Sequence, residues 1–271
     1  MKPRSSRQTT SRPPLLEFRN LDVYHGTHKV LSSLSVTIGE GEHVAILGPN
    51  GAGKSSFIKT VMRELYPDPD VKGMKFCIRG SDVWDVFSLR ATLGIVSNDL
   101  QYSFTRDITG REVIISGFFS GIGLFNQQVT PRMHRKTDEI LSFLEIEHLA
   151  DRRMTEMSSG ESRRLLIGRA LVHNPSTLIL DEPTNSLDLH ALHTFRETLC
   201  NVARSGTGII LVTHNVHDII PEISRVILME DGRFIRDGEK PAILTSRELS
   251  RLFRVSVNVN QDGGYYYLTG Y

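Results

Sequence analysis

Eight residues constrain this chain more than any others: Gly48-Pro-Asn-Gly-Ala-Gly53-Lys54-Ser55 satisfies G-x-x-x-x-G-K-[ST]. The run in front of it, His43-Val-Ala-Ile-Leu47, is short, continuous and apolar, as a buried strand is. The residues behind it, from about Lys54 to Glu64, read as a helix closed by Pro67, Asp68 and Pro69. In that setting glycines let successive backbone N–H groups turn inward around phosphate oxygens, and the helix N-terminus adds positive potential. Lys54 then reaches the β- and γ-phosphates and Ser55 offers a hydroxyl to Mg²⁺.

A second acidic signal lies downstream. The apolar run Thr177-Leu-Ile-Leu180 ends in Asp181 and Glu182. In a parallel sheet the ligand crevice lies at the carboxyl ends of the strands, so this pair should face the phosphate loop. Asp181 suits the Mg²⁺ shell, and Glu182 is placed to polarise an attacking water as a general base. The bland alternative is that both acids cap the turn before Pro183.

Between and around these signals the chain alternates strand and helix patterns. Leu16, Phe18, Leu21 and Val23, then Val30, Leu34, Val36 and Ile38, read as an antiparallel opening layer. From about residue 98 to residue 161 strand signals fade and amphipathic segments appear at Gly110–Phe118, Thr130–Leu144 and His148–Met154, a helical lobe. Gly117-Phe-Phe-Ser-Gly-Ile-Gly123 reads as a turn with exposed apolar groups and a candidate docking surface. Helix Arg163–His173, strand Thr177–Leu180, helix Asp188–Arg204 and strands Gly208–Val212 and Arg225–Met229 then alternate as βαβ units do. Hairpin signals at Asp231-Gly232 and Asp262-Gly263, a helix near Ser246–Phe253 and an alternating run Val255–Val259 close the chain. The expected organisation is a basic, disordered tail over 1–14, a first part of the core over 15–97, the lobe over 98–161 and a second part of the core over 162–271.

Composition narrows the classes. Of the 271 residues, 32 are Lys or Arg and 31 Asp or Glu, so no global charge draws the chain to nucleic acid or an anionic membrane. Direct nucleic-acid binding is not expected. Cys77 and Cys200 stand alone, without metal-ligand spacing, and point to a reducing compartment. No apolar run reaches the roughly 18–20 residues needed to span a bilayer. The first fourteen residues carry Lys2, Arg4, Arg7 and Arg12 without an apolar stretch, which excludes a secretory signal.

Phosphate loop and carboxylate strand together define a P-loop NTPase, and Met157-Ser-Ser-Gly-Glu161 narrows it further. This segment resembles the L-S-G-G-Q signature of ABC ATPases: it precedes a helix and lies about twenty residues ahead of the carboxylate strand. Ser158 and Gly160 match; Met157, Ser159 and Glu161 depart. Glu161 brings an acid to a place where an anion is handled, with Arg163 or Arg164 as candidates to neutralise it. The same residues also read as a helix capping box, Ser158 followed three residues on by Glu161, and the two readings are compatible.

The resemblance covers about residues 15–260 and implies an α/β fold: a P-loop ABC nucleotide-binding domain with a mostly parallel sheet, an N-terminal antiparallel β layer and an inserted helical lobe. It implies ATP and Mg²⁺ as ligands, with Gly48, Pro49, Asn50, Gly51, Ala52, Gly53, Lys54, Ser55 and Ser56 on the phosphates and Ser55 and Asp181 on the metal. Tyr24 resembles the aromatic that stacks on adenine, its alternative being a core strand aromatic. Asp188, in Ser186-Leu-Asp188, resembles the loop coupling two halves of a dimer, its alternative being a helix N-cap. His214 resembles the switch histidine that reads the γ-phosphate and backs Glu182. The family's Gln, which contacts Mg²⁺ and water, is replaced by Asn98, with Gln101 as the other candidate. Ser158, Ser159, Gly160 and Glu161 would close over the ATP of a second copy, giving an ATP-dependent homodimer. Ala242-Ile-Leu-Thr245…Leu249…Leu252-Phe253 looks similar to the ending of subunits serving siderophore, cobalamin or molybdate importers. The resemblance therefore implies a cytoplasmic ATPase, peripheral on the membrane and coupled to separate membrane-spanning subunits; the alternative is a soluble ABC-type ATPase that regulates or remodels a protein or ribonucleoprotein.

Overall fold

The computed structural model describes residues 13–97, 108–119, 121, 127–185 and 187–270. The basic tail up to residue 12, Asn98, Gln101, Ser120, Ile122, Gly123 and Ser186 lie outside the described residues. In chain order the elements are β1 (Leu16–His25), β2 (His28–Ile38), β3 (His43–Leu47), α1 (Lys54–Val61), β4 (Lys75–Ile78), α2 (Val86–Thr92) and β5 (Leu93–Val96). Then come α3 (Gly110–Ser116), α4 (Pro131–Phe143), α5 (Ser159–Leu171), β6 (Thr177–Asp181), α6 (Leu189–Arg204), β7 (Gly208–Thr213), β8 (Arg225–Glu230) and β9 (Arg233–Glu239). The chain ends with α7 (Lys240–Ile243), α8 (Ser246–Phe253), β10 (Asn258–Asp262) and β11 (Tyr265–Thr269).

Continuous apolar strands belong in a sheet covered on both faces, and that is where they lie. The central sheet runs β5-β6-β7-β3-β8-β9, parallel from β5 to β8 with β9 antiparallel at the edge. Because side chains alternate between faces, each strand feeds two separate cores. Ala45, Leu47, Leu178, Leu180, Ile209 and Leu211 join the helical side with α3, α5 and α6. Val44, Ile46, Ile179, Ile210 and Val212 join the other, against α1 and the three-stranded antiparallel layer β2-β1-β4. Each of these eleven side chains is fully buried, and burying a Leu, Ile or Val stabilises by about 1.5–3 kcal/mol before entropy is counted.

Register does the rest of the positioning. Leu47 pairs with Thr213 across β3 and β7, and Asp181 pairs with Val212 across β6 and β7. The carboxyl ends of three adjacent strands are thus nearly level, so whatever follows each of them arrives at one crevice.

Three local expectations need correction. His148–Met154 is not a helix but is flanked by 3₁₀ turns at Glu147–Leu149 and Met154–Glu156. The signature helix starts at Ser159 rather than Arg163. Phe118 and Phe119 are not exposed: α3 runs into a 3₁₀ turn at Gly117–Phe119, Phe118 packs on the core and against the His173 ring at 5.7 Å, and Arg169 pins the segment through Ser116 Oγ (3.2 Å) and the Gly121 carbonyl (3.0 Å).

Candidate active site

The glycine loop leaves β3 at Gly48, whose N–H donates to the Thr213 carbonyl at 3.2 Å. A side chain at Gly48 would place its Cβ 2.3 Å from the Met229 carbonyl oxygen, so the loop sits against β8 at a distance only glycine permits. Gly53, at φ 101°, then turns the chain into α1. No side chain caps α1 and no acid occupies its first turn, so its backbone donors remain directed at the crevice. That is the chemistry a polyphosphate needs.

Lys54 is 4% exposed, yet its ammonium is fully engaged. It donates to the carbonyls of Gly48 (2.8 Å) and Pro49 (2.9 Å) and lies 3.2 Å from Glu182 Oε1. Three partners match the three N–H bonds of an ammonium. The loop therefore stores its cation folded back on itself and bound to the acid.

Glu182 stands one residue beyond β6 with φ 46°, a left-handed conformation that costs a non-glycine residue about 1–3 kcal/mol and recurs at functional sites. Its N–H donates to the Val212 carbonyl at 2.8 Å. Its carboxylate accepts from Asn185 Nδ2 at 2.8 Å and faces His214 Nδ1 at 3.2 Å as well as Lys54. Burial raises the carboxyl's pKa, but the hydrogen bonds from Asn185, Lys54 and His214 and the lysine charge outweigh it and hold Glu182 below the usual carboxylate range. The group is ionised at neutral pH, as a general base must be.

These groups open onto a cleft of about 660 Å³ lined by Asn50, Gly51, Gly53, Lys54, Ser55 and Ser56, by Ser97 just past β5, and by Asp181 and Glu182. Ser55 and Asp181, a hydroxyl and a carboxylate that both line the cleft, are oxygen donors of the kind that would hold Mg²⁺. Ala52 is buried behind the loop and Pro49 offers its carbonyl to Lys54. Tyr24 lies at the tip of β1, 38% exposed, with the Lys29 ammonium 5.3 Å from its ring centroid.

The signature residues do not line this cleft. Ser158 is the N-cap of α5 and forms the complete capping box: Glu161 N–H donates to Ser158 Oγ (3.2 Å) and Ser158 N–H to Glu161 Oε2 (2.8 Å). Ser158 and Ser159 are exposed, whereas Gly160 is buried against α6, where an added Cβ would lie 2.8 Å from that of Ala191. Asp188 caps α6 by accepting from Ala191 N–H at 2.8 Å.

Glu161 is neutralised, but by neither expected arginine. Arg152 Nη1 donates to Glu161 Oε1 at 2.7 Å and its Nη2 to the Glu156 carbonyl at 2.8 Å. Burial raises the Glu161 pKa, and the Ser158 and Arg152 hydrogen bonds outweigh it and lower it overall. Arg164 bonds the carbonyl of Leu144 at 2.6 Å. Arg163, 5% exposed, reaches across to the carbonyls of Glu182 (3.1 Å) and Asn185 (2.8 Å). Arg163 and Asn185 are thus parts of the site that sequence reasoning missed; an arginine on an apolar helix face was the available signal.

Comparison with known proteins identifies the family. Residues 31–185, more than half of the chain, match the family described as ABC transporter. The chain is 32% identical over 234 residues to the Nod factor export ATP-binding protein I of Burkholderia lata, covering 85% of this chain and 73% of that one. It is 28% identical over 262 residues to the hemin import ATP-binding protein HmuV of Bradyrhizobium diazoefficiens, covering 94% of each. Among solved structures, cbiO1 from Clostridium perfringens, described as part of the ABC transporter complex cbiONQ, superposes with a TM-score of 0.73 at 26% identity over 88% of this chain and 94% of that one. Matches of that extent make this protein a member of the ABC transporter family, on its ATP-binding side.

Proposed function

We propose that this chain hydrolyses ATP as one half of a homodimer and that the cycle of closure and release drives separate membrane-spanning transport subunits. The observation that carries the hydrolysis is the contact of Glu182 Oε1 with both Lys54 Nζ and His214 Nδ1 at 3.2 Å. Lys54 and the free N–H groups at the start of α1 hold phosphate oxygens. Ser55 and Asp181 would hold Mg²⁺, which would neutralise phosphate charge. When Lys54 turns to the phosphates, Glu182, still oriented by Asn185 and facing His214, accepts the proton of an attacking water. Tyr24 offers an exposed ring face to the adenine.

Pairing is supported by the exposure of Ser158 and Ser159 and by their absence from the cleft of their own chain, which leaves them available to a second copy's nucleotide. Asn98, with Gln101 as the alternative, is proposed for the amide that follows β5. Coupling to membrane subunits is supported by the two relatives named for export and import. An importer-type partner is favoured because the hemin-import match covers 94% of this chain, against 85% for the export relative. No described helix is long and apolar enough to cross a membrane, so the spanning part is assigned to other chains.

The test is Glu182→Gln. It should bind ATP but turn over at least about 100-fold more slowly, as loss of a general base does, and run as a dimer with ATP and Mg²⁺ on size exclusion. Tagged, it should retain a multi-spanning membrane protein from detergent-solubilised cells. Near-normal turnover removes Glu182 from the role, and recovery of soluble partners alone removes the transport coupling.

A further inference from the structure

Asp218 is 2% exposed, in a 3₁₀ turn (Val216–Asp218) just past His214. A carboxyl group at that depth is unfavourable unless its oxygens are hydrogen-bonded, and here both are. Oδ1 accepts from the hydroxyl of Thr184 and Oδ2 from that of Thr213. Thr184 (8% exposed) is two residues beyond Glu182, and Thr213 (fully buried) is the residue before His214. One carboxyl group therefore joins the turn that carries the acid to the strand end that carries the histidine.

The Glu182 turn is held by the Val212 carbonyl and by Arg163. Thr184, two residues on, is held by Asp218. His214 is enclosed differently: the residue before it, Thr213, is bonded to Asp218 four residues beyond it, so the intervening segment closes on itself. Thr213 Oγ1 also accepts from Asn215 N–H at 2.9 Å, tightening that loop. Behind it the turn is anchored in turn: the His217 ring packs edge-on against Tyr267 of β11 at 5.4 Å, and Arg196 donates to the His217 carbonyl. Burial pushes the Asp218 carboxyl upward in pKa, and the two threonine hydroxyls draw it back. An apolar side chain would fill the space without that conflict, so the acid is there for what it joins.

We propose that Asp218 is a positioning residue that sets the separation of Glu182 and His214 by fixing Thr184 and Thr213 to a single carboxyl group. This rests on the hydrolysis reading above. Asp218 does not line the cleft, and its reach toward the site runs through Thr184, Thr213 and its charge facing His214, so its loss acts on the rate of the chemical step and leaves nucleotide binding in place.

The experiment measures kcat, KM and the affinity for a fluorescent ATP analogue in wild type, Glu182→Gln, Asp218→Leu, Asp218→Asn, Thr184→Val and the Asp218→Leu/Thr184→Val pair. Asp218→Leu should lower kcat about 10- to 100-fold, the cost of a small misplacement of catalytic groups. Nucleotide affinity should stay within about threefold, the split expected when only transition-state positioning is lost. Thr184→Val should lower kcat less, and adding it to Asp218→Leu should cost nothing further, because both remove the same link. Asp218→Asn, whose amide can accept from one threonine and donate to the other, should recover most of the rate. Wild-type kcat in folded Asp218→Leu, or additive losses in the pair, overturns the proposal. If Asp218→Leu does not fold, wild-type kcat in Thr184→Val does so instead. Wild-type turnover that ignores Glu182→Gln overturns the hydrolysis reading itself, and the positioning role with it.

Discussion

Arg152 Nη1 lies 2.7 Å from Glu161 Oε1, so the charge that answers the acid of the signature turn comes from the segment ahead of α5 and not from α5 itself. The pair is part-exposed, and such pairs add at most about 1 kcal/mol to stability. Its effect belongs to the anion that the turn is proposed to meet. Arg152→Ala should leave the melting temperature nearly unchanged but weaken ATP-induced dimerisation about three- to tenfold, a charge effect near 1 kcal/mol. Adding Glu161→Gln should restore it, since the acid then needs no partner. Analytical ultracentrifugation with ATP and Mg²⁺ on the Glu182→Gln background reads both; unchanged dimerisation in Arg152→Ala excludes the role.

Gly160 allows α5 and α6 to meet. Gly160→Ala puts a Cβ 2.8 Å from that of Ala191 and should destabilise by about 1–3 kcal/mol, the usual cost of overpacking. Ala191→Gly alone should cost about 1 kcal/mol through helix propensity. The double variant should be more stable than the sum of the two, because the clash is gone. Urea unfolding of all four proteins measures the coupling.

Glu182 gives the nucleotide-free protein an acid-sensitive term. Its folded-state pKa is depressed, so its contribution is present above the ordinary carboxylate value of about 4.3 and is lost as pH falls from there through the folded value. The stability difference between wild type and Glu182→Gln should therefore shift against wild type as pH falls from 5 toward 3. Melting temperatures of both proteins across that range, without nucleotide, check the sign.

Arg163→Met should leave the carbonyls of Glu182 and Asn185 without their buried donor, at about 1–3 kcal/mol for a group left unsatisfied. The same variant should lower kcat more than it raises KM, because the turn it frees carries the proposed base. A change in KM alone places Arg163 elsewhere in the cycle.

Much of this architecture was legible because its signals are local. The runs 43–47, 177–180 and 208–212 announce strands buried on both faces, and Gly48 to Ser55 announces the turn that must follow one of them. Strand order was not legible: β7 lies between β6 and β3, a pairing between residues far apart in sequence that no spacing encodes. For α5 the helix pattern begins only at Arg163, while the capping box of Ser158 and Glu161 marks the start at Ser159, where the structure has it; the nearness of Ala191 explains the glycine in that first helical turn. Arg163 was misread for a related reason. Its partners lie 19 and 22 residues away, beyond any local pattern. Phe118 looked exposed beside so many glycines until the neighbouring His173 and Arg169 closed over the segment.

The thirteen residues of α5 have a further consequence. Ser158 and Glu161 sit at the start of that helix, and about one turn later Arg163 grips the Glu182 turn of the same chain. In the two-fold pair proposed here, the start of the helix covers the other copy's nucleotide while Arg163 serves its own. One rigid rod is then shared between two reaction chambers. In such a pair, relaxing the Glu182 turn of one chamber would pull on the cover of the other, so the two chambers would be mechanically linked through α5.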